Sequence, residues 1–221
     1  MSFSSRMRTA RIPYSLLRLL ICAAFVALTL AASAAEKPRI EVNDYVIDAD
    51  LAPKTHHITA KAKVKFTALD DISTAVFELN NALRVTRVTT EAGKVLPTER
   101  VTQDYTVRVS LPDGLSKGQS QTLNFDYEGV LASGDDSPVE GLKLASINPD
   151  TSYLLYAARW FPMVGYGTNR FTASINITVP AFFSVIGSGA KPGSEHPASA
   201  GNKTASFVWD TPSFPGTIIA G

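Results

Sequence analysis

The side chains able to do chemistry in this chain are few, and their spacing limits what they can do. The histidines are His56, His57 and His196. His56 and His57 are adjacent near an expected strand start, so their side chains should point to opposite faces and not share one tetrahedral metal. His196 follows Glu195 in a Pro- and Gly-rich segment. A helical zinc site needs His-Glu-x-x-His, and the sequence has none. The three histidines therefore read as solvated or locally hydrogen-bonded, with a zinc site assembled from distant loops as the alternative. Asp135, Asp136 and Glu140 can attract a cation but lack the ligand spacing of a calcium loop, so they read as an acidic surface loop. Gly187-Ser188-Gly189 lacks the five-residue elbow that presents a nucleophilic serine. Gly165-Tyr166-Gly167 opens no helix, so it is not a nucleotide loop. Nothing places two carboxylates across a cleft for glycoside hydrolysis. Asn176-Ile177-Thr178 and Asn202-Lys203-Thr204 match glycosylation sequons, a pattern common by chance. These residues predict no catalytic group, no metal ligand and no cofactor in this chain.

Arg159-Trp160-Phe161-Pro162 admits two readings. An arginine beside two aromatic rings can contact a ligand through its cation. The preferred reading is structural: Trp160 and Phe161 supply core area, and Arg159 ties backbone carbonyls or an acidic partner.

The elements that must position these residues read as strands. Ile58, Ala60, Ala62, Val64 and Phe66 alternate with Thr59, Lys61, Lys63, Lys65 and Thr67, the period of an antiparallel strand with one wet face. Tyr45, Ile47, Ala49 and Leu51 form a similar set, as do Tyr105 to Leu111, Leu123 to Tyr127, and Phe171 to Val179. Glu91-Ala92-Gly93 predicts a hairpin turn. Pro112-Asp113-Gly114 predicts a strand end. Ser152 to Ala157 predicts a covered strand, 132–141 a polar loop, and Gly187 to Gly201 another. No strand–helix alternation occurs, which argues against a doubly wound fold. The expected class is all-β, a twisted two-sheet sandwich.

Composition agrees with a packed core, at 45% apolar and 19% charged residues among 221. Residues 1–34 read as a helical secretory signal peptide. Arg6, Arg8, Arg11 and Arg18 come first, Leu19 to Leu30 is almost wholly apolar, and Ala32-Ser33-Ala34 offers a cleavage site. The apolar run is short for a membrane span, so membrane contact is expected only if the signal stays uncleaved. Beyond it, 17 basic residues face 20 acidic ones with no basic block, which argues against nucleic acid binding. The lone cysteine, Cys22, lies inside the signal, so no disulfide is expected in the exported part. The expected location is periplasmic or extracellular.

Several segments in order resemble the N-terminal β domain of aminopeptidase-N-like (gluzincin) zinc metallopeptidases. They are Tyr45 to Leu51, Leu115-Ser116-Lys117-Gly118, Leu123 to Gly129, Ala158-Arg159-Trp160-Phe161-Pro162, Phe171 to Pro180, and Phe183 to Gly189. The likeness covers residues 40–221. It implies a saddle-like β domain that packs against a catalytic peptidase domain, in the same chain or a separate one. Zinc is implied only for that catalytic domain, whose motifs this sequence lacks. The family's N-domain supplies a Gln or Glu for the substrate's α-amine five residues before the arginine. Here that place is Leu154, which cannot accept a hydrogen bond. The resemblance is to a divergent branch, and the chain reads as a scaffold fragment. A stand-alone β-sandwich binding module is the alternative.

Overall fold

The computed structural model describes residues 39–133, 137–189, 194–198 and 201–221. The expected signal, Cys22, Asp135 and Asp136 lie outside these residues. The described part is all-β. Its strands are β1 (Ile40–Ala52), β2 (His57–Ala68), β3 (Ile72–Glu78), β4 (Leu83–Thr90), β5 (Thr98–Val101), β6 (Thr106–Leu115), β7 (Ser120–Val130), β8 (Ala145–Ser146), β9 (Ser152–Leu154), β10 (Phe171–Pro180), β11 (Val185–Gly187), β12 (Ser194–Pro197), β13 (Asn202–Ser213) and β14 (Ile218–Ala220). No described helix is long and apolar enough to cross a membrane.

The strands form three sheets. A seven-stranded sheet has the order β12-β13-β10-β1-β2-β7-β4, a four-stranded sheet β11-β14-β9-β8, and a three-stranded sheet β3-β6-β5. β2 sits between β1 and β7, antiparallel to both. Its apolar set is buried and its lysine set faces water, as the two-residue period dictates. β1 pairs with β10 in parallel. Parallel pairing needs a long crossover, and here the chain between β1 and β10 builds the whole three-stranded sheet and strands β8 and β9 of the four-stranded one.

The inner side of the large sheet is covered by the two small ones. Phe77 of β3 packs edge-on to Phe66 of β2 and Phe125 of β7, with ring centroids 5.8 and 5.0 Å apart. Tyr45 of β1 meets Phe171 of β10 at 4.6 Å and Phe161 at 5.2 Å. Edge-to-face pairs of this kind add about 0.5–1.5 kcal/mol beyond area burial. β1 carries a bulge between Val42 and Asp44. Asn169 holds it: its Oδ1 accepts the Val42 N–H at 2.6 Å and its Nδ2 donates to the Val42 carbonyl at 2.7 Å.

Three local expectations need correction. Pro112-Asp113-Gly114 does not end its strand. β6 runs on to Leu115 through an irregularity in which the four residues 111–114 lie opposite the single Ser73, with Gly114 at φ +67°. The strand expected over 152–157 stops at Leu154 and turns into a 3-10 piece at Tyr156–Ala158. The segment Gly187 to Gly201 is not all loop: β12 lies within it and pairs with β13 at the sheet edge. The expected turn at Glu91-Ala92-Gly93 is present, with Gly93 at φ +83° and the Thr90 N–H bonded to the Lys94 carbonyl at 2.9 Å.

Candidate functional site

The signature segment sits where β3, β9 and the approach to β14 converge. Among the described residues, each non-glycine residue with positive φ (His56, Tyr105 and Arg159) closes a short 3-10 turn. Arg159 has φ +52°, and its N–H donates to the Tyr156 carbonyl at 3.2 Å. A bulky side chain holds this conformation only where its surroundings fix it. Asn80 does much of the fixing. Its backbone N–H donates to the Arg159 carbonyl at 2.9 Å, and its Nδ2 to the Ala158 carbonyl at 3.0 Å. Glu78 and Met163 exchange backbone hydrogen bonds at 2.7 and 3.0 Å.

The side chains then form a charged and aromatic knot. Arg159 Nε lies 2.8 Å from Glu78 Oε2, both side chains being largely covered. The guanidinium carbon lies 5.9 Å from the Tyr105 ring centre and 5.6 Å from that of Tyr166. Tyr166 stacks on Tyr156 at 5.5 Å and 20°. Burial above all pushes the Tyr156 hydroxyl up to about 12. It also raises Tyr45 and Tyr127, both enclosed in the core. Arg100 caps the same corner, its Nη2 donating to the carbonyls of Leu79 and Asn80 at 2.7 and 2.8 Å.

Trp160 and Phe161 are fully buried. Trp160 Nε1 donates to the Gly216 carbonyl at 2.7 Å. Gly216 has φ +128°, and a Cβ there would come within 2.8 Å of the Phe161 ring, so only glycine fits both demands. Ser188 holds the other side of this loop. Its hydroxyl accepts the Thr217 N–H at 2.9 Å and donates to the Thr217 carbonyl at 3.1 Å. The arrangement pins the loop before β14 against the large sheet. Trp160 and Phe161 lie in the core, and Arg159 is tied to Glu78.

The other sequence candidates stand apart from one another. Leu154 is buried in β9, between Ala145 of β8 and Ile218 of β14. His56 Nδ1 lies 2.6 Å from the Ile147 carbonyl. His57 starts β2 and lies 3.5 Å from Thr59 Oγ1. His196 is on exposed β12, four strands from β2 in the sheet order, roughly 19 Å at about 4.8 Å per strand. Among the described residues, no three His, Cys, Asp or Glu side chains gather to hold a metal ion. The zinc implied by the family resemblance therefore has no fitting donor set among them. Asn176 is tied to Asp48 within the large sheet, and Asn202 begins β13.

Sequence reasoning missed Glu78, Asn80, Tyr105 and Asn169. Their partners lie tens of residues away, and no local spacing signals such contacts.

A scan against protein families finds no match, and a search of curated proteins finds none either. Solved structures do match. The M1 zinc metallopeptidase from Deinococcus radiodurans aligns with a TM-score of 0.68 and 22% identity, covering 82% of this chain and 42% of that one. A mutant of an M1 zinc metallopeptidase from that organism bound to a Tyr-Ser-Ala substrate gives 0.68, 21%, 81% and 42%. A two-domain M1 zinc metallopeptidase mutant bound to L-tryptophan gives the same four values. At this identity the likeness is one of fold, and the fold is that of the N-terminal domain of M1 metallopeptidases. The chain spans 42% of the length of each of these structures.

Proposed function

We propose that this chain is the non-catalytic N-terminal scaffold of an exported, M1-peptidase-like protein, packing against a catalytic domain and helping to wall its cleft. The observation that carries this reading is the fold match, which takes in 81% of this chain yet 42% of the matched enzyme. Two further features support it. The sequence has no His-Glu-x-x-His, so the metal and the general base belong to another domain. The segment most like the family signature acts as a pin between sheets, through the Glu78–Arg159 pair and the Trp160–Gly216 bond.

Leu154 takes no part in amine binding on this reading, because it is apolar and enclosed. Any amine recognition would come from the catalytic domain. The test is an assay of the purified chain with aminoacyl and peptide substrates, with and without added zinc. No turnover is expected, and metal-dependent turnover by the pure chain overturns the reading.

A second reading, a free-standing β-sandwich binding module, draws on one observation. Tyr166 is 46% exposed beside the Arg159 guanidinium, an arrangement able to meet a planar or anionic ligand. The two readings differ in gene context. A His-Glu-x-x-His segment encoded in the same frame or in a neighbouring gene favours the scaffold.

A further inference from the structure

The surface aspartates differ in how firmly the fold holds them. Asp48 of β1 lies between Asn176 and Lys61, and Asp126 of β7 between Lys61 and Arg87. Pairing on both sides fixes the backbone of such a residue in the extended form. Asp71 lies outside the strands, and its Oδ1 accepts the Lys117 N–H at 2.8 Å. Asp113 is placed differently. It is the one Asp or Asn followed by glycine in the sequence. It sits in the irregular stretch of β6 where residues 111–114 lie opposite the single Ser73 of β3. On the other side of β6, pairing with β5 has already ended at Val109. No cross-strand register therefore fixes the bond between Asp113 and Gly114. The Asp113 side chain is 87% exposed, and its Oδ2 meets Nζ of the exposed Lys94 at 3.1 Å. Gly114 has φ +67°, and even a Cβ there would come no nearer than 3.6 Å to the Ile72 carbonyl oxygen. With no side chain of its own, Gly114 leaves its backbone nitrogen unscreened towards the Asp113 carboxyl.

We propose that Asp113-Gly114 is a site of spontaneous isoaspartate formation in the folded protein, by way of a succinimide. The Gly114 nitrogen attacks Asp113 Cγ. The new N–C bond forms as a Cγ–O bond breaks, and the departing hydroxyl leaves as water with the amide proton. Water then adds back at one of the two imide carbonyls. Addition at Cγ restores aspartate. Addition at the Asp113 backbone carbonyl breaks its bond to the Gly114 nitrogen, and the main chain then runs through Cβ and Cγ. Water is lost and regained, so the conversion needs no enzyme and no co-reactant. The product has one more methylene in its main chain and a new α-carboxylate. In a regularly paired strand the added length would disturb the register. Here four residues already stand opposite one, and the irregularity takes up the extra length. The new α-carboxylate is the group esterified by carboxyl methyltransferases specific for isoaspartate, so the altered chain is a substrate for that class of enzyme. This chemistry does not depend on a partner domain.

The experiment ages the full chain at neutral pH and physiological temperature, one sample folded and one held unfolded in urea. Trypsin then releases the peptide Val109–Lys117, in which Asp113 is the one acidic residue. In both samples that peptide is expected to split with time into two chromatographic peaks of equal mass, with a transient third lighter by one water. The late-formed peak of equal mass should accept a methyl group from S-adenosylmethionine in the presence of an isoaspartate methyltransferase. A second peak that grows in the unfolded sample and not in the folded one overturns the proposal, because the fold would then protect the site. A single unmethylated peak in both samples overturns it as well. Gly114→Ala, checked for folding by circular dichroism, should lose the second peak, since its methyl group screens the attacking nitrogen. The aged folded chain should keep its circular dichroism spectrum and its urea midpoint. Unfolding in step with the second peak would show that the irregularity does not take up the added length.

Discussion

The outward face of β2 and that of β14 obey the same alternation and end in opposite surfaces. On β2, Lys61, Lys63 and Lys65 stand in water, Lys61 between Asp48 and Asp126, and Lys63 meets Glu91 at 2.7 Å. On β14, Ile219 stands in water between Ile186 and Tyr153. Burying one face of a strand fixes its register, but the chemistry of the other face is left free to differ. The large sheet is finished as a solvent surface. The small sheet is finished only on its inner side, where the signature segment holds it in place.

The pin gives the largest handle on that contrast. Trp160→Ala removes a buried indole and leaves the Gly216 carbonyl without its donor, and should cost about 3–5 kcal/mol. Urea unfolding would show it as a lowered midpoint. A midpoint close to that of the parent chain would mean that the small sheet is not seated through Trp160. Glu78→Gln strips the counter-charge from Arg159 in a largely covered setting and should cost about 1–3 kcal/mol. Combining it with Arg159→Met should recover part of that loss, and a double-mutant cycle measures the coupling.

Alkaline pH probes the interior beneath both faces. Tyr156 is raised from its ordinary 10.0 to about 12, first by burial. A raised tyrosine favours the protonated folded form, so its contribution is complete below pH 10 and is lost as pH rises from 10 towards 12. Tyr45 and Tyr127 act in the same direction. Denaturant curves at pH 8, 10 and 11 should fall in that order of stability, and Tyr156→Phe should shallow the decline by its own share. A flat profile would contradict the burial of these hydroxyls. The smallest effect belongs to the wet face. Lys61→Ala breaks an exposed pair with Asp126 at 3.8 Å and should change stability by no more than about 0.5 kcal/mol. A larger loss would mean that this face is not finished for solvent.

Some of this was legible in the residue order. The alternation of β2 and β10 showed directly which side chains are buried, because strand periodicity is a local property. The core role of Trp160 and Phe161 followed from their size. The bulge at Gly114 was read as a strand end because a Pro-Asp-Gly turn and a bulge share the same residue preferences. Glu78 gave no sign of pairing with Arg159, which is far along the chain.

By itself the sequence determined an all-β chain with alternating faces, no His-Glu-x-x-His segment and a signature built from Arg159, Trp160, Phe161 and Pro162. Those properties depend on neighbouring residues and their composition. The tertiary structure alone decided that β1 pairs in parallel with β10, that Asn80 and Glu78 lock Arg159 in place, and that Ile186, Ile219 and Tyr153 line up across three strands. Each of these depends on which distant segments meet, and packing over the whole core selects that, not any local pattern.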